Sequence, residues 1–317
     1  MFKDIHVEIG RNGRTGTAPV ASFYSGQITP DDVRREFSSL FGPNDLPIIV
    51  IDEFDKIKSF ETRELMANTL KSLSDFGVNV TIVLVGVADD VNDLIVGHPS
   101  VTRCIEQILM PRMEVKEREE ILDKRIGRLG MSMKPSSALK ITNLSRGLPS
   151  YVHSLGLASV QSALGRESLR VEDADVDQAL GKVLSRSHQS IQEAYLQAIH
   201  SNRKDNLYGE VLLACALADT DEKGLFTPLS VSEPLSLVLK KDKLISISTY
   251  QSHLLKFMEH ARANVLVRRG RERAYRFRFK DPIMQPYVIM KGIEAGLIGK
   301  DAIDVLPPSF RRKMSAT

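Results

Sequence analysis

Two short apolar runs separated by an amphipathic segment dominate the hydrophobic pattern in the first third of the chain. Residues 46–52 read Leu-Pro-Ile-Ile-Val-Ile-Asp, and residues 78–87 form a second, β-branched run. Continuous runs of this length are typical of strands that are buried on both faces, as in parallel sheets. Between them, apolar residues recur along one stripe from Glu61 to Phe76, just before Gly77, which predicts an amphipathic helix. Strand, helix and strand in this order predict a βαβ unit.

The first 45 residues carry weaker patterns. They predict a short helix, a polar loop around residues 10–17, and a helix over residues 30–41. Either Thr29 or Asp31 could cap this second helix, with Pro30 in its first turn. The loop is rich in glycine but contains no lysine. It therefore differs from the G-x-x-x-x-G-K-[ST] loop whose backbone amides cradle nucleotide phosphates.

The remaining chain divides by its pattern into further regions. A third, mainly apolar stretch over residues 105–110 predicts a third strand of the first domain. Residues 114–185 show helical periodicity and many charges, without a strand. We therefore predict an α/β fold with a parallel-sheet core over residues 1–115, which the family resemblance given below implies to be incomplete, and an all-helical domain over residues 116–190. A third domain would cover residues 191–290, and a C-terminal helix and tail would complete the chain to residue 317.

Composition changes this picture only locally. The 317 residues are 42% hydrophobic and 26% charged, as in ordinary globular proteins of two or three domains. No apolar run approaches the roughly 18 residues of a membrane span, and the start has no signal-peptide pattern, so we expect a cytoplasmic protein. Cys104 and Cys215 are too few for a metal cage or a disulfide framework. The net charge of +3 conceals a basic segment, because seven arginines, one lysine and one glutamate lie between Ala261 and Lys280.

The first apolar run ends in two carboxylates, Asp52 and Glu53. In parallel sheets, ligands bind at the carboxyl ends of the strands. There, Asp52 could hold Mg²⁺ and Glu53 could polarise an attacking water during nucleotide hydrolysis. A buried strand that runs into a polar loop gives the same short pattern, so both interpretations stay open on these residues alone.

In context, residues 46–112 resemble the second half of the AAA+ ATPase core. The resemblance is closest to the origin-recognition and replication-initiator clade, and bacterial transposition-helper ATPases are similar. Residues 48–53 match the Walker B motif of that family. The resemblance implies ATP and Mg²⁺ as cofactors, a helical lid over residues 116–190 and a winged helix over residues 191–290. Because the phosphate-binding loop is missing from this sequence, it also implies an N-terminally truncated module that hydrolyses ATP poorly or not at all.

Two further positions depart from or only partly match this family. The second run ends Gly-Val-Ala-Asp-Asp, where initiators have Gly-Ile-Ser-Asn-Asp, so Asp89 replaces the asparagine that positions the attacking water. A carboxylate at that place would repel a phosphate unless Mg²⁺ screens it. Arg103 matches the arginine finger that reaches a neighbouring subunit, which implies a homo-oligomer or a partner protein on that face. A surface ion pair is the alternative role for this arginine.

The lid of initiator ATPases carries a Gly-x-x-Arg motif whose arginine touches the γ-phosphate. Counted from Gly147, the equivalent position in this chain is Ser150. The resemblance therefore places Ser150 at the nucleotide, without the arginine. Arg146 or His153 could replace that arginine, and a surface or core role is the alternative for both.

The basic segment predicts a hairpin. Residues 265–267 form the first strand, and residues 268–273 form a turn that contains Gly270. In the second strand three aromatic residues alternate with three cations, so the aromatic face should pack on the domain and the basic face should meet solvent or an anion. The aromatic residues are Tyr275, Phe277 and Phe279, and the cations are Arg276, Arg278 and Lys280.

Helices predicted near residues 191–202, 205–219 and 249–263 precede this hairpin. In initiator ATPases a winged helix follows the lid and binds duplex DNA, so the resemblance implies that the third helix approaches a groove. It also implies phosphate contacts by the arginines of the hairpin. These are Arg268, Arg269, Arg271, Arg273, Arg276 and Arg278. A solvated or protein-facing hairpin is the alternative.

Two hypotheses about function follow. In the first, the chain is an ATP-binding switch module of the AAA+ class that acts on DNA or on a partner protein. In the second, it is a nucleotide-independent DNA-binding or adaptor protein that keeps a degenerate ATPase core as a scaffold.

Overall fold

The computed structural model describes residues 6–11, 14–19, 26–42, 44–87, 95, 101–203, 206–271 and 274–299, with backbone only in the first two ranges. The chain forms two compact units, Met1–Leu109 and Met110–Thr317. The described part is mixed α/β and mostly helical. Within it, no helix is both long and apolar enough to cross a membrane.

The first unit begins with an antiparallel hairpin of β1 (His6–Arg11) and β2 (Arg14–Pro19), in which Arg11 lies opposite Arg14. The predicted short helix and the predicted loop over residues 10–17 are therefore wrong. The alternation of Val7 and Ile9 with polar residues and the Asn12-Gly13 dipeptide are hairpin signals that could have found these strands.

Helix α1 (Pro30–Leu40) confirms the predicted helix and settles how it is capped. The Thr29 hydroxyl accepts a hydrogen bond from the Asp32 amide, and the Asp32 carboxylate accepts one from the Thr29 amide. Asp31, the other candidate cap, instead forms an ion pair with Arg34 at 2.7 Å. The capping box therefore begins the helix, with Pro30 in its first turn.

The predicted βαβ unit is present. Strand β3 (Ile48–Ile51) pairs in parallel with β4 (Thr81–Leu84), and helix α2 (Phe60–Asp75) connects them. The Ser59 side chain caps the helix, and the chain leaves it through Gly77 with a φ of 60°. Phe76 does not belong to the buried stripe, since it is 66% exposed and Arg34 lies over its ring.

Burial along β3 alternates, so the expectation of a strand that is buried on both faces is wrong. Ile51 is 9% exposed, whereas Val50 is 61% and Ile48 is 67% exposed. The buried side chains pack with Phe54 and Ala67, and no described residue covers the opposite face. An apolar run therefore indicates that a strand carries hydrophobic side chains. It does not indicate which face of the strand is covered by other residues.

The third predicted strand is also wrong. A 3₁₀ turn (Val101–Cys104) precedes residues 105–110, which form no strand. Ile108 is 78% exposed and Met110 is 88% exposed. In the described part of the chain the β3–β4 sheet has two strands, so this segment has no strand to pair with.

The second unit is built on helices around one continuous hydrophobic core. Two short strands, β5 (Ser132–Met133) and β6 (Arg170–Val171), pair in parallel where no strand was expected. The core includes residues from both predicted domains, and their division at residue 190 stays a prediction. The helices are α3 (Val115–Arg128), α4 (Pro135–Leu144), α5 (Pro149–Gly165), α6 (Asp173–Ser185), α7 (Gln189–Ile199), α8 (Tyr208–Leu217), α9 (Ser232–Val238), α10 (Ile247–Lys256) and α11 (Met284–Glu294).

Helix α8 lies at the centre of this core, because eight of its ten residues are buried. The exceptions are Gly209 and Glu210. After it, Phe226 forms an isolated bridge with Phe277. Helices α9 and α10 follow, and then a hairpin of β7 (Leu266–Arg269) and β8 (Arg276–Phe279). The predicted helices near 191–202, 205–219 and 249–263 correspond to α7, α8 and α10, whereas α9 and the bridge were missed.

Candidate functional site

The predicted metal ligand Asp52 and the predicted catalytic residue Glu53 directly follow β3 and are exposed. Glu53 has a φ of 54°, and the Asp52 carboxylate accepts a hydrogen bond from its amide at 2.7 Å. Glu53 Oε1 lies 2.6 Å from Lys56 Nζ, and this ion pair raises the pKa of Lys56. The carboxylate that would polarise water is therefore engaged by a cation, a contact that the sequence analysis missed.

The loop after β3 is fastened to the end of β4. The Phe54 amide donates to the Val85 carbonyl at 2.9 Å, and Asp55 accepts from the Val87 amide at 3.2 Å. Phe54 itself is 1% exposed and anchors the loop in the core. The carboxylates and the residues after β4 thus meet at one sheet edge, as the βαβ pattern predicts. Asp89 lies outside the described residues.

Asp52 and Glu53 fit the metal-binding part of a magnesium–nucleotide site, but not the part that binds the phosphates. Asp52 and Glu53 offer the carboxylate oxygens that Mg²⁺ prefers. However, no group of three His, Cys, Asp or Glu side chains able to hold a metal ion occurs in the described part of the chain. The sequence contains no phosphate-binding loop motif. We therefore derive no hydrolytic step for these residues.

Arg103 lies in the 3₁₀ turn Val101–Cys104, beside the buried Val101. Its side chain is exposed. Within the residues that the structure describes it forms no hydrogen bond or ion pair, so nothing there engages its guanidinium. An exposed arginine held on a short turn is compatible with contact to another subunit, and its role as an arginine finger stays a prediction.

Ser150 and Arg146, the predicted nucleotide contacts of the second unit, face different surroundings. Ser150 is exposed in the first turn of α5, next to Pro149. Arg146 is 3% exposed and donates from Nη2 to the Ala218 carbonyl at 2.9 Å. Burial lowers the pKa of Arg146 to about 9. In this arrangement Arg146 points into the core, so its contact with a nucleotide stays a prediction that requires the loop to rearrange.

The hairpin confirms the predicted alternation. Leu266 lies opposite Phe279 and Arg269 lies opposite Arg276. Phe277 and Phe279 are each 3% exposed, whereas Arg268 and Arg269 are exposed. Both arginines belong to β7 rather than to the turn. The aromatic face therefore anchors the hairpin, and its two strands carry arginines to solvent.

Glycine is required where the turn begins. Gly270 has a φ of 94°, and a Cβ there would lie 2.5 Å from the Ala274 carbonyl oxygen. No larger side chain fits that space.

The predicted DNA-contacting arginines have different partners. The Arg268 guanidinium lies 4.1 Å from the centre of the Tyr275 ring, in a cation–π contact. Arg276 forms an ion pair with Asp221 at 2.8 Å. Arg271 is exposed and Arg278 is half-buried, while Arg273 lies outside the described residues. These contacts hold part of the basic surface in place before any ligand arrives.

Helix α10, the predicted groove-binding helix, is positioned by Tyr250. Its hydroxyl donates to the Pro228 carbonyl at 2.7 Å and pairs with the Ser232 hydroxyl at 2.8 Å. Three lysines, Lys240, Lys241 and Lys243, are exposed in the loop just before this helix. The sequence analysis missed these cations, although the Lys-Lys-Asp-Lys run is visible in the sequence.

Comparisons with known proteins give weak likenesses only. No protein-family model matches the chain. None of the curated proteins matches either. A solved structure of Thermotoga maritima RuvB, titled as a Holliday junction branch migration motor, is similar at 17% identity and a TM-score of 0.39, over 80% of this chain and 73% of that one.

Two archaeal structures are similar at the same level. Cdc6p from Pyrobaculum aerophilum gives 14% identity and a TM-score of 0.40, over 87% of this chain and 74% of that one. The Aeropyrum pernix ORC2 protein, in ADPNP–ADP complexes, gives 15% identity and a TM-score of 0.42, over 86% and 74%. Likenesses this weak carry no argument, so function must be inferred from the chain's own residues.

Proposed function

We propose that the second unit binds duplex DNA through a winged-helix domain over residues 191–290. The observation that carries this proposal is the hairpin itself, since Phe277 and Phe279 anchor one face while Arg268 and Arg269 reach solvent. The order of α8, the Phe226 bridge, α9, α10 and the hairpin supports a winged helix. Cations on a fixed hairpin suit phosphates, which give affinity with little sequence preference.

We further propose that the first unit is part of an AAA+ ATP-binding module that switches this DNA contact. Asp52 and Glu53 at the end of a parallel strand support it, together with the resemblance of residues 46–112. In that proposal Mg²⁺ is held at Asp52 once phosphate-binding groups are supplied. The exposed Arg103 would then reach a second subunit or a partner protein.

If the hairpin arginines contact DNA phosphates, then removing them should make the affinity for DNA less dependent on salt concentration. Replacing Arg268 and Arg271 by alanine removes two phosphate contacts from the hairpin. Each contact contributes about 0.9 to the slope of log affinity against log salt concentration, so the slope should become shallower by about 2. Affinity for a short duplex, measured by fluorescence anisotropy across a salt series, gives this slope.

A matched control removes the same charge elsewhere. Arg125 and Arg128 are exposed on α3, outside the hairpin. Their double alanine variant should keep the slope of the unmodified chain, because neither residue belongs to the proposed interface. Equal slopes for the two double variants would refute the hairpin contact, and an affinity independent of salt would exclude phosphate binding altogether.

The nucleotide-independent alternative is favoured by one observation. Glu53 is paired with Lys56 at 2.6 Å, which engages the carboxylate that hydrolysis would use. In that case the first unit serves as a scaffold, and the winged helix binds DNA whether or not ATP is present.

Titration with nucleotide tests whether this chain binds ATP by itself. We expect Mg²⁺ and a slowly hydrolysed ATP analogue to give no saturable heat with this chain alone, because it lacks the phosphate-binding loop motif. Glu53→Gln should then change neither nucleotide binding nor DNA affinity. Saturable binding, combined with ATP retention in Glu53→Gln, would instead show that the chain itself is an ATP-dependent switch.

A further inference from the structure

One arginine is built into the second unit between two glycines. The second unit begins at Met110, and Arg112 lies two residues after it. Gly147 and Gly224 have φ values of 83° and 75°. A Cβ on Gly147 would lie 2.7 Å from Arg112 Cβ, and a Cβ on Gly224 would lie 2.8 Å from Arg112 Nη2. Glycine at both positions is therefore what makes room for this side chain.

Hydrogen bonds connect Arg112 to segments that are far apart in sequence. Its Nη1 donates to the Arg146 carbonyl at 2.9 Å and to Gln285 Oε1 at 2.6 Å. Gln285 is 1% exposed, and its Nε2 donates in turn to the Ala216 carbonyl at 2.8 Å. The Met113 amide adds a bond to the Gly147 carbonyl at 3.0 Å. Arg112 thus joins the loop between α4 and α5 to the start of α11. Gln285 extends this connection to the end of α8.

The Gly224 side of Arg112 leads to the hairpin. Asp221 accepts hydrogen bonds from the Leu225 and Lys223 amides, and its second oxygen holds Arg276 at 2.8 Å. Phe226, two residues after Gly224, exchanges two backbone hydrogen bonds of 2.8 Å with Phe277. A displacement of the guanidinium would therefore reach the base of β8.

The Gly147 side leads to the candidate nucleotide position. Gly147 is three residues before Ser150 and directly follows Arg146. Neither Arg112 nor Arg146 forms an ion pair within the described residues, and burial lowers the pKa of Arg112 to about 10. Arg112 is half-buried, and shifting such a cation away from the oxygens that satisfy it is costly. The segments bonded to Arg112 should therefore move together.

We propose that Arg112 is a positioning residue that couples the α4–α5 loop, next to Ser150, to the root of the arginine hairpin. The role of this coupling rests on the proposed function, in which the α4–α5 loop would contact the nucleotide and the hairpin would bind DNA. The coupling itself can be measured without either ligand, because it is a property of how the second unit is packed.

A double-mutant cycle tests this coupling in the full chain. Gly147→Ala pushes a methyl group against Arg112 Cβ, and the readout is hydrogen exchange at the Phe226 and Phe277 amides. We expect exchange there to become about tenfold faster, within the usual range of coupling between contacting residues. In the Arg112→Met background the same methyl group meets the same Cβ, but no guanidinium reaches Gly224 or Gln285. Gly147→Ala should then accelerate exchange at these two amides only as far as the strain of its positive φ does, which the following control measures.

Gly130→Ala is the matched control, because Gly130 also has a positive φ of 65° but has no atom within 4 Å of its Cβ position. It imposes backbone strain without touching Arg112, so any acceleration that it causes reports general destabilisation. The proposal is overturned if Gly147→Ala accelerates the two amides no more than Gly130→Ala does. It is equally overturned if the full acceleration persists in the Arg112→Met background. Coupling without any DNA affinity would instead refute the proposed function alone.

Discussion

Replacing Gly292 by valine should lower the free energy of unfolding of the second unit by about 3 kcal/mol, at the upper end of what overpacking costs. Gly292 lies in α11 against Leu213 of α8, a residue that is 1% exposed. A Cβ at Gly292 would lie 2.6 Å and 2.7 Å from the two δ-carbons of Leu213. Both methyl groups are in the way, so rotating the leucine cannot clear the site, and the helices must separate. Chemical denaturation followed by circular dichroism measures the loss.

Gly181→Ala provides a control of opposite sign. Gly181 lies inside α6, and nothing lies within 4 Å of the Cβ that alanine would add. Alanine there should stabilise the unit by roughly 0.5–1 kcal/mol, because it restricts the unfolded chain and suits a helix. If Gly292→Val costs less than about 1 kcal/mol, the close packing of α8 against α11 is not a strong constraint.

Local patterns predicted the elements whose cause is local. The candidate caps of α1, Thr29 or Asp31, and the stripe in α2 are local signals, and both helices are present within about one residue of the expected bounds. The alternation around Phe277 predicted the buried face of β8 for the same reason. The stripe and the alternation each repeat with the period of the element that they form.

Patterns failed where the outcome depends on a distant neighbour. The mainly apolar residues 105–110 were predicted to form a strand. A strand must pair with another strand, and the described β3–β4 sheet contains no third strand beside this segment. Val50 is as apolar as Ile51 yet is exposed, because only one face of β3 is covered by described residues. Hydrophobicity along the chain carries no information about which partner is present.

The candidate site shows the same division. The placement of Asp52 and Glu53 at the end of a parallel strand followed from the apolar run before them. The contact of Arg112 with Gln285 spans 173 residues and leaves no periodic trace in the sequence. The Lys56 partner of Glu53 lies only three residues away, yet nothing in the pattern distinguishes it from other lysines.

Phe226 shows how a single residue can escape prediction and still decide the structure. It forms a bridge with Phe277 rather than a strand, so no alternating run marks it. It is 1% exposed, and its ring stacks on that of Phe277 with centroids 6.1 Å apart. Phe226 therefore fastens the arginine hairpin to the segment between α8 and α9.

Phe226→Ala should cost roughly 3–5 kcal/mol of stability, the range for removing a buried phenylalanine. The cavity opens beneath β8, so we also expect the Phe277 amide to lose protection from hydrogen exchange before the amides of α8 do. DNA affinity should fall together with that protection, since the arginines lose a fixed base. Phe226→Leu retains most of the apolar volume and should cost about 1–1.5 kcal/mol. Exchange at Phe277 that stays slow in Phe226→Ala would mean that β7 and the loop around Asp221 hold the hairpin without this ring.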